Sequence, residues 1–308
     1  MSENTLALAT RNLPARAPED LAAATFLARY TGSTKTTYVF ALRRYFTWCR
    51  NQGMAPLEMK RPLIEAYIRS MEDDGLARST QSQQLGIIRG YYRFAVLDEY
   101  IDKDPAQHVR KPRVWQDDSK LLGLTRYELG DIFRAAKDTG PTERCAIALM
   151  GMLGLRVSEA AGLQIEDTRH EAGGHRVVNF IGKGSKPASI PLPVPMQRII
   201  DAAAAGRTTG PLLVRRRGPL HGEPHDRRSL AWMVEQLGRK AGIDHKVHPH
   251  MLRHSFVGTA LDAGLDLRTV QQAARHSDPR TTANYDRARH TMDRHAVHTV
   301  SAYLGGIA

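Results

Sequence analysis

Tyr38, Leu42, Tyr45, Phe46 and Cys49 recur at helical spacing within "STKTTYVFALRRYFTWCRNQG", which opens at Ser33 and closes at Gly53. Such a stripe predicts an amphipathic helix, with Lys35, Arg43 and Arg50 left on the outer side. Ser33 or Thr34 is the expected cap. A shorter helical run, "PEDLAAATFLARYTG", precedes it, and two more follow: "PLEMKRPLIEAYIRSMEDDG" and "STQSQQLGIIRGYYRFAVLDEY". In the last of these Leu85, Ile88, Tyr92 and Val96 share one face, and Ser79 or Thr80 stands at its start. Residues 19–102 therefore read as a small all-helical domain behind a flexible polar leader at 1–18. Residues 103–120, with two prolines in a polar and largely basic stretch, read as a linker.

The pattern changes in the remainder, 121–308. "LTRYELGDIFRAAKDTG" begins with a capping box from Thr125 to Glu128, and "PTERCAIALMGMLG" places Pro141 where it can start a helix. Two β-rich runs, Val177–Ile181 and Ala188–Leu192, flank "GKGSK" and predict a hairpin. Helices resume at "PMQRIIDAAAAG", at 228–242, at 249–263 and through "DPRTTANYDRARH". A final stripe of Met292, Ala296, Val300, Tyr303 and Leu304 predicts a tail helix. The fold class is mainly α with a small antiparallel β-sheet.

Composition adds a partner. The 308 residues are 42% hydrophobic and 25% charged, enough apolar material for two cores, and the formal charge is +12. Residues 1–113 carry 17 basic and 12 acidic side chains, a net of +5, which leaves +7 for the remainder. Such a balance points to a polyanion, DNA or RNA before an anionic membrane surface. The longest apolar run, "CAIALMGMLGL", is too short to span a bilayer. The N-terminus lacks the basic-then-apolar order of a secretion signal, so a cytoplasmic protein without membrane partners is expected. Cys49 and Cys145 form no metal knuckle or disulfide framework and are expected to be reduced and buried.

Candidate chemistry gathers in "HPHMLRHSF". On a helix beginning at Pro249, His250, Arg253 and His254 share a face, an arrangement open to a metal, a base or a phosphate. The glutamate of an HExxH site is missing and Arg253 opposes a cation, which disfavours a metal. Arg156 in "GLRVSEA" is placed to be held rigidly at the exit of a buried helix, though Glu159 three residues on is equally a local salt-bridge partner. Lys183, at the hairpin tip, reads by itself as a solvated side chain.

Taken together and in order, "GLRVSEA", "GKGSKPASIPL", "HPHMLRHSF" and "ARHSDPRTTANYDRA" resemble the active-site boxes of the tyrosine recombinase (phage integrase) family. The resemblance spans roughly residues 20–304 and is strongest from 120 onward. It implies a helical, SAM-like core-binding domain followed by a mixed α/β catalytic domain with a tail helix. It also implies that Arg156 and Arg253 bind phosphate, Lys183 is the hairpin lysine, His250 and His276 are the box histidines, and Tyr285 is the nucleophile. Glu159 falls at the acidic position that supports the first arginine. Two departures stand out: Arg275 occupies the usual glycine before His276, adding charge and removing backbone freedom, and Ala188 replaces a basic residue after the hairpin.

What the resemblance implies is chemically coherent. Paired arginines fork onto phosphate oxygens and onto the charge that builds in the transition state. A tyrosine nucleophile conserves the bond energy as a 3′-phosphotyrosine, so strands can be rejoined without ATP. His250 is expected as base, His276 as phosphate positioner and Lys183 as proton donor to the leaving oxygen. With arginines supplying the charge, no metal or other cofactor is required. The expected partner is double-stranded DNA bearing core-type sites, bound by a homo-tetramer and clamped between the two domains, with any accessory protein unidentified. With about twenty residues ahead of the first helical domain, no separate arm-binding module is expected. Lys35, Arg43, Arg50 and the run Arg215, Arg216 and Arg217 are candidate backbone contacts, each also readable as solvated surface. Integration or excision of a phage or mobile element is the favoured role. Xer-type dimer resolution and a non-catalytic DNA-binding regulator are the alternatives.

Overall fold

Apolar stripes become packed helices in the first of two units, residues 1–116. The structure, a computed structural model, describes residues 17–114, 123–182, 184–276, 278–288 and 296–305. In the first unit these form α1 (Pro18–Ala28), α2 (Gly32–Asn51), a 3-10 turn at Pro56–Glu58, α3 (Arg61–Asp73) and α4 (Arg78–Leu97). Phe26, Leu42, Tyr45, Cys49, Ile64, Tyr67, Met71, Leu85, Ile88, Tyr91 and Tyr92 meet in one core. The buried phenols are hydrogen-bonded, as burial requires. Tyr92 donates to the Pro56 carbonyl at 2.6 Å, which makes Tyr45 the donor in its 2.6 Å contact with Tyr92, and Tyr67 donates to Gln84 at 2.9 Å.

Helix starts differ from the expected caps. α2 begins at Gly32 after Thr31 and α4 at Arg78 after Ala77, neither with a side-chain cap bond. Hydroxyls in the first turns of α2 reach back along the helix instead, Thr36 to the Gly32 carbonyl and Thr37 to that of Ser33. Of the stretch read as linker, the part up to Val109 packs into this unit. Ala106 and Val109 are buried, and Arg89 donates to both of their carbonyls. The rest of that stretch from residue 115, like most of the leader, lies outside the described residues.

The second unit, residues 117–308, is organised around a helix buried on nearly every side. It contains α5 (Arg126–Thr139), α6 (Pro141–Gly151) and α7 (Val157–Gly162), followed by β1 (His170–Ala172), β2 (His175–Ile181) and β3 (Pro187–Pro191). Then come α8 (Val194–Ala204), α9 (Arg227–Lys240), α10 (Pro249–Asp262), α11 (Leu267–Ala274), α12 (Pro279–Ala288) and α13 (Ala296–Gly305). The run Cys145–Met150 of α6 is fully buried, with α5, α8, α9 and α10 packed around it. The capping box on α5 forms, Glu128 N–H to Thr125 Oγ1 at 3.2 Å and Thr125 N–H to Glu128 Oε2 at 2.8 Å.

The antiparallel sheet runs β1-β2-β3, pairing Val177 with Pro191 and Ile181 with Pro187. Val178 and Phe180 alternate toward the core. β1 is an addition to the expected hairpin: three exposed residues paired to β2 through a turn at Gly173 and Gly174, both at positive φ. Near the start of the unit the Leu124 N–H donates to Ser255 Oγ at 2.7 Å, and that hydroxyl donates to the Met251 carbonyl at 2.9 Å. Gly123 must be small here, because a Cβ would lie 2.3 Å from the Ser255 nitrogen.

Candidate active site

Where α6 ends, the chain turns through Gly154 at φ +63, and a Cβ there would lie 2.5 Å from the Phe256 ring. This tight exit delivers Arg156 to the N-cap of α7. Glu159 holds it twice: Arg156 Nη1 donates to Oε1 at 2.6 Å and the Arg156 backbone N–H to Oε2 at 2.8 Å. The Glu159 side chain is 3% exposed and that of Arg156 25%, so the guanidinium is anchored on a buried carboxylate while staying accessible. The local salt bridge and the site-like placement are one arrangement.

Arg253 arises from α10 and is 2% exposed. Its two terminal nitrogens donate to the carbonyls of Gly154 and Ala274, fixing its plane between the α6 exit and the end of α11. A cleft of about 520 Å³ opens beside it, lined by Arg156, Arg227, Arg228, His248, His250 and Arg253 among others. Sequence reasoning missed Arg227 and Arg228. Their signal was available, because two arginines in the first turn of a helix oppose its dipole and call for a reason.

The histidines divide by environment. His250 faces the cleft, and its pKa is lowered first by desolvation, then by Arg253, His248 and Arg156. His254 is buried with its ring edge-on to His250, the centroids 4.8 Å apart. Burial and then the neighbouring histidines and Arg253 push it down to about 3, so it is neutral scaffold. His276 is pushed down to about 4, by burial first and then by Arg253, Arg156, Arg275 and His250. Its Nδ1 lies 2.9 Å from Oγ1 of Thr282, a fully buried residue that sequence reasoning also missed.

Thr282 belongs to α12, the helix that carries Tyr285 one turn later. The Tyr285 side chain and all of Lys183 lie outside the described residues. The hairpin is closed by the Gly182 N–H, which donates to the Lys186 carbonyl at 2.7 Å. Tyr45, Tyr67, Tyr91 and Tyr92 are unsuited to nucleophilic work, since burial shuts them away and raises their pKa, for Tyr67 to about 12.

Arg275 adopts the left-handed conformation, φ 55 and ψ 45, as the C-cap of α11. A side chain is accommodated where glycine was expected, and its Nη2 reaches Glu159 Oε2 at 3.0 Å and the Gly154 carbonyl at 3.2 Å.

The other predicted contacts do not form one group. Lys35, Arg43 and Arg50 are exposed on α2 in the first unit. In the basic run Arg216 ties the chain to its own interior, donating to Thr142 Oγ1 and to the Ala203 carbonyl, each at 2.9 Å. Arg215 is half-buried and Arg217 exposed. Among the described residues no group of three or more His, Cys, Asp or Glu is placed to hold a metal ion, and the histidines have arginines as neighbours. No helix among the described residues is long and apolar enough to cross a membrane.

Comparison with known proteins follows this division of the chain. A model of the phage integrase family matches residues 123–292, and a model of the phage integrase N-terminal SAM-like domain matches 19–102. A tyrosine recombinase XerD from Staphylococcus haemolyticus is 28% identical over 262 residues, covering 82% of this chain and 87% of its own. The Tn1549 transposon integrase, solved with transposon right end DNA, superposes with a TM-score of 0.71 at 18% identity over 94% of this chain and all of that one. A lambda integrase, solved as a tetramer bound to a Holliday junction, gives 0.71 at 16% identity over 95% and 84%.

Proposed function

Because the chain belongs to the phage integrase family, enzymes that cut and rejoin DNA at specific sites, we propose that it does so through Tyr285, with Arg156, Lys183, His250, Arg253 and His276 as the catalytic set and Glu159 supporting Arg156. One observation carries the assignment: Arg156, Arg253 and His250 line a single cleft, while His276 is joined to the helix that bears Tyr285.

The chemistry follows from the charges. Uncatalysed phosphodiester cleavage leaves a barrier that must fall by something like 20 kcal/mol. Arg156 and Arg253, already fixed by Glu159 and by main-chain carbonyls, bind the non-bridging oxygens without reorganising as charge develops. The Tyr285 oxygen attacks phosphorus, the bond to the 5′ oxygen breaks, and a 3′-phosphotyrosine forms. His250 accepts the phenol proton, since burial first, and then Arg253, His248 and Arg156, lower its pKa and favour the neutral imidazole. Lys183 protonates the departing 5′ oxygen. His276, also neutral, hydrogen-bonds the phosphate. A phosphodiester is exchanged for a phosphodiester, so the reverse attack rejoins a strand without ATP.

The partner in this reading is double-stranded DNA carrying core-type sites, bound by a tetramer of this chain. The favoured role is integration or excision of a phage or mobile element. Resolution of chromosome or plasmid dimers is a second reading, supported by the XerD relative that matches most of the chain. The test uses nicked duplexes tiled across the DNA flanking the gene, in EDTA. An SDS-resistant protein–DNA adduct that disappears in Tyr285→Phe, with duplex binding retained, is expected. An adduct that persists in that variant overturns the nucleophile, and tight binding with no adduct on any duplex favours the regulator. Deleting the gene raises the frequency of chromosome dimers under the second reading and leaves it unchanged under the first.

A further inference from the structure

Arg275 stands where the backbone asks for glycine. At φ 55 an L side chain is strained, and the guanidinium it carries is drawn largely out of water, 18% exposed. Its Nε and Nη1 are buried with no hydrogen-bond partner among the described residues. A folding role alone does not account for this residue, because glycine would remove both the strain and the unmatched donors.

Its contacts explain what the side chain accomplishes. Nη2 donates to Glu159 Oε2 at 3.0 Å and to the Gly154 carbonyl at 3.2 Å, and the guanidinium carbon lies 4.8 Å from the centre of the Phe180 ring. Glu159 is the carboxylate that holds Arg156, and Gly154 is the carbonyl that holds Arg253. Phe180 lies on β2, the strand that leads into the hairpin bearing Lys183. Arg275 itself immediately precedes His276. One side chain thus touches the supports of both phosphate-binding arginines and the base of the lysine hairpin. By occupying Oε2 it fixes the rotation of the Glu159 carboxylate, which directs Oε1 at Arg156.

We propose that Arg275 is a positioning residue for strand cleavage: by clamping Glu159 and Gly154 against Phe180, it sets the planes of Arg156 and Arg253 and adds a fixed positive charge beside His276. It rests on the recombinase reading above. The strain and the imperfectly matched guanidinium are a stability cost that the arrangement of the phosphate-binding arginines offsets in function. The charge also bears on His276, whose pKa is depressed by burial, Arg253, Arg156, Arg275 and His250 in that order.

Arg275→Gly, Arg275→Met and Arg275→Lys test this. A nicked duplex recovered as covalent adduct from a pool with a randomised core serves as substrate, in single-turnover cleavage at saturating protein. His276 is titrated by NMR in the DNA-free protein. The glycine variant, which relieves the strained backbone, is expected to melt no lower than the parent, and both the glycine and methionine variants to bind duplex as tightly and to form adduct more slowly on the order of tenfold. Their His276 titration should move to higher pH, while lysine, which keeps the charge, restores that titration and part of the rate. Cleavage by the glycine and methionine variants at the parent's rate overturns the proposal. So does a rate loss that merely follows a lower melting temperature, with His276 titrating as in the parent and lysine no better than methionine. If the parent forms no adduct, the recombinase reading fails, and the His276 titration still decides whether Arg275 acts on this centre.

Discussion

Replacing Glu159 by glutamine changes one atom and disturbs three donors. Arg156 Nη1 bonds Oε1, while the Arg156 backbone N–H and Arg275 Nη2 share Oε2. A glutamine amide can set its oxygen at the Oε2 position, keeping two of these contacts as weaker neutral-acceptor bonds and turning its NH₂ on Arg156 Nη1. Flipped, it keeps one and faces two donors. Either way a donor meets a donor in a site where the side chain is 3% exposed, and two guanidinium groups lose the anion between them. Removing one partner of a buried ion pair costs about 3–5 kcal/mol. At roughly 2–4 °C per kcal/mol for a domain of this size, the melting temperature of Glu159→Gln should fall by about 6–20 °C. Calorimetry or circular dichroism of the DNA-free protein measures this, and Glu159→Gln combined with Arg275→Met should recover part of the loss because the second cation is gone. A Glu159→Gln protein that melts at the parent's temperature would refute the argument that this carboxylate is the electrostatic centre of the site.

Other expectations follow from the same geometry. His254 and His276 have folded pKa values of about 3 and about 4 against an ordinary 6.5, so the unfolded chain binds more protons as pH falls from 6.5. Stability is therefore lost on acidification, by up to about 1.4 kcal/mol per pH unit for each imidazole. In unfolding curves between pH 6.5 and 5, His254→Gln should flatten the slope, and an unchanged slope contradicts the burial argument. Arg216→Ala should destabilise by about 1–3 kcal/mol, because Thr142 and Ala203 lose a half-buried donor, whereas Arg217→Ala should leave the melting temperature unaltered. Equal effects of the two would undo that distinction. Arg227→Ala with Arg228→Ala should weaken binding of a duplex and reduce the slope of log affinity against log salt by about 1.8, if each arginine neutralises one phosphate; an unchanged slope excludes them from the interface.

The elements legible in the sequence are those written by local rules. The Tyr38-to-Cys49 stripe, the Thr125 box and the "GKGSK" turn each specify their element within a few residues, and the structure contains all three. The expected caps, Ser33 or Thr34 and Ser79 or Thr80, are inside their helices instead, because α2 begins at Gly32 and α4 at Arg78, neither with a side-chain cap bond. β1 was hidden because three exposed residues make no apolar alternation. In the site, Arg156 with Glu159 is readable at a separation of three. The contact of Arg275 with Glu159 spans 116 positions, and that of Arg253 with Gly154 spans 99, so neither leaves a periodic trace. Arg216 was ambiguous for the same reason, since a basic run looks identical whether its guanidinium enters the interior or meets solvent.

The bond between Leu124 and Ser255 has a mechanical meaning. Tension along the chain at Gly123 meets this bond before it reaches the first turn of α5, and it arrives on α10 two residues from Arg253. A pull on the chain at Gly123 is thus shared between the start of α5 and the helix that carries Arg253, which the carbonyls of Gly154 and Ala274 hold in turn.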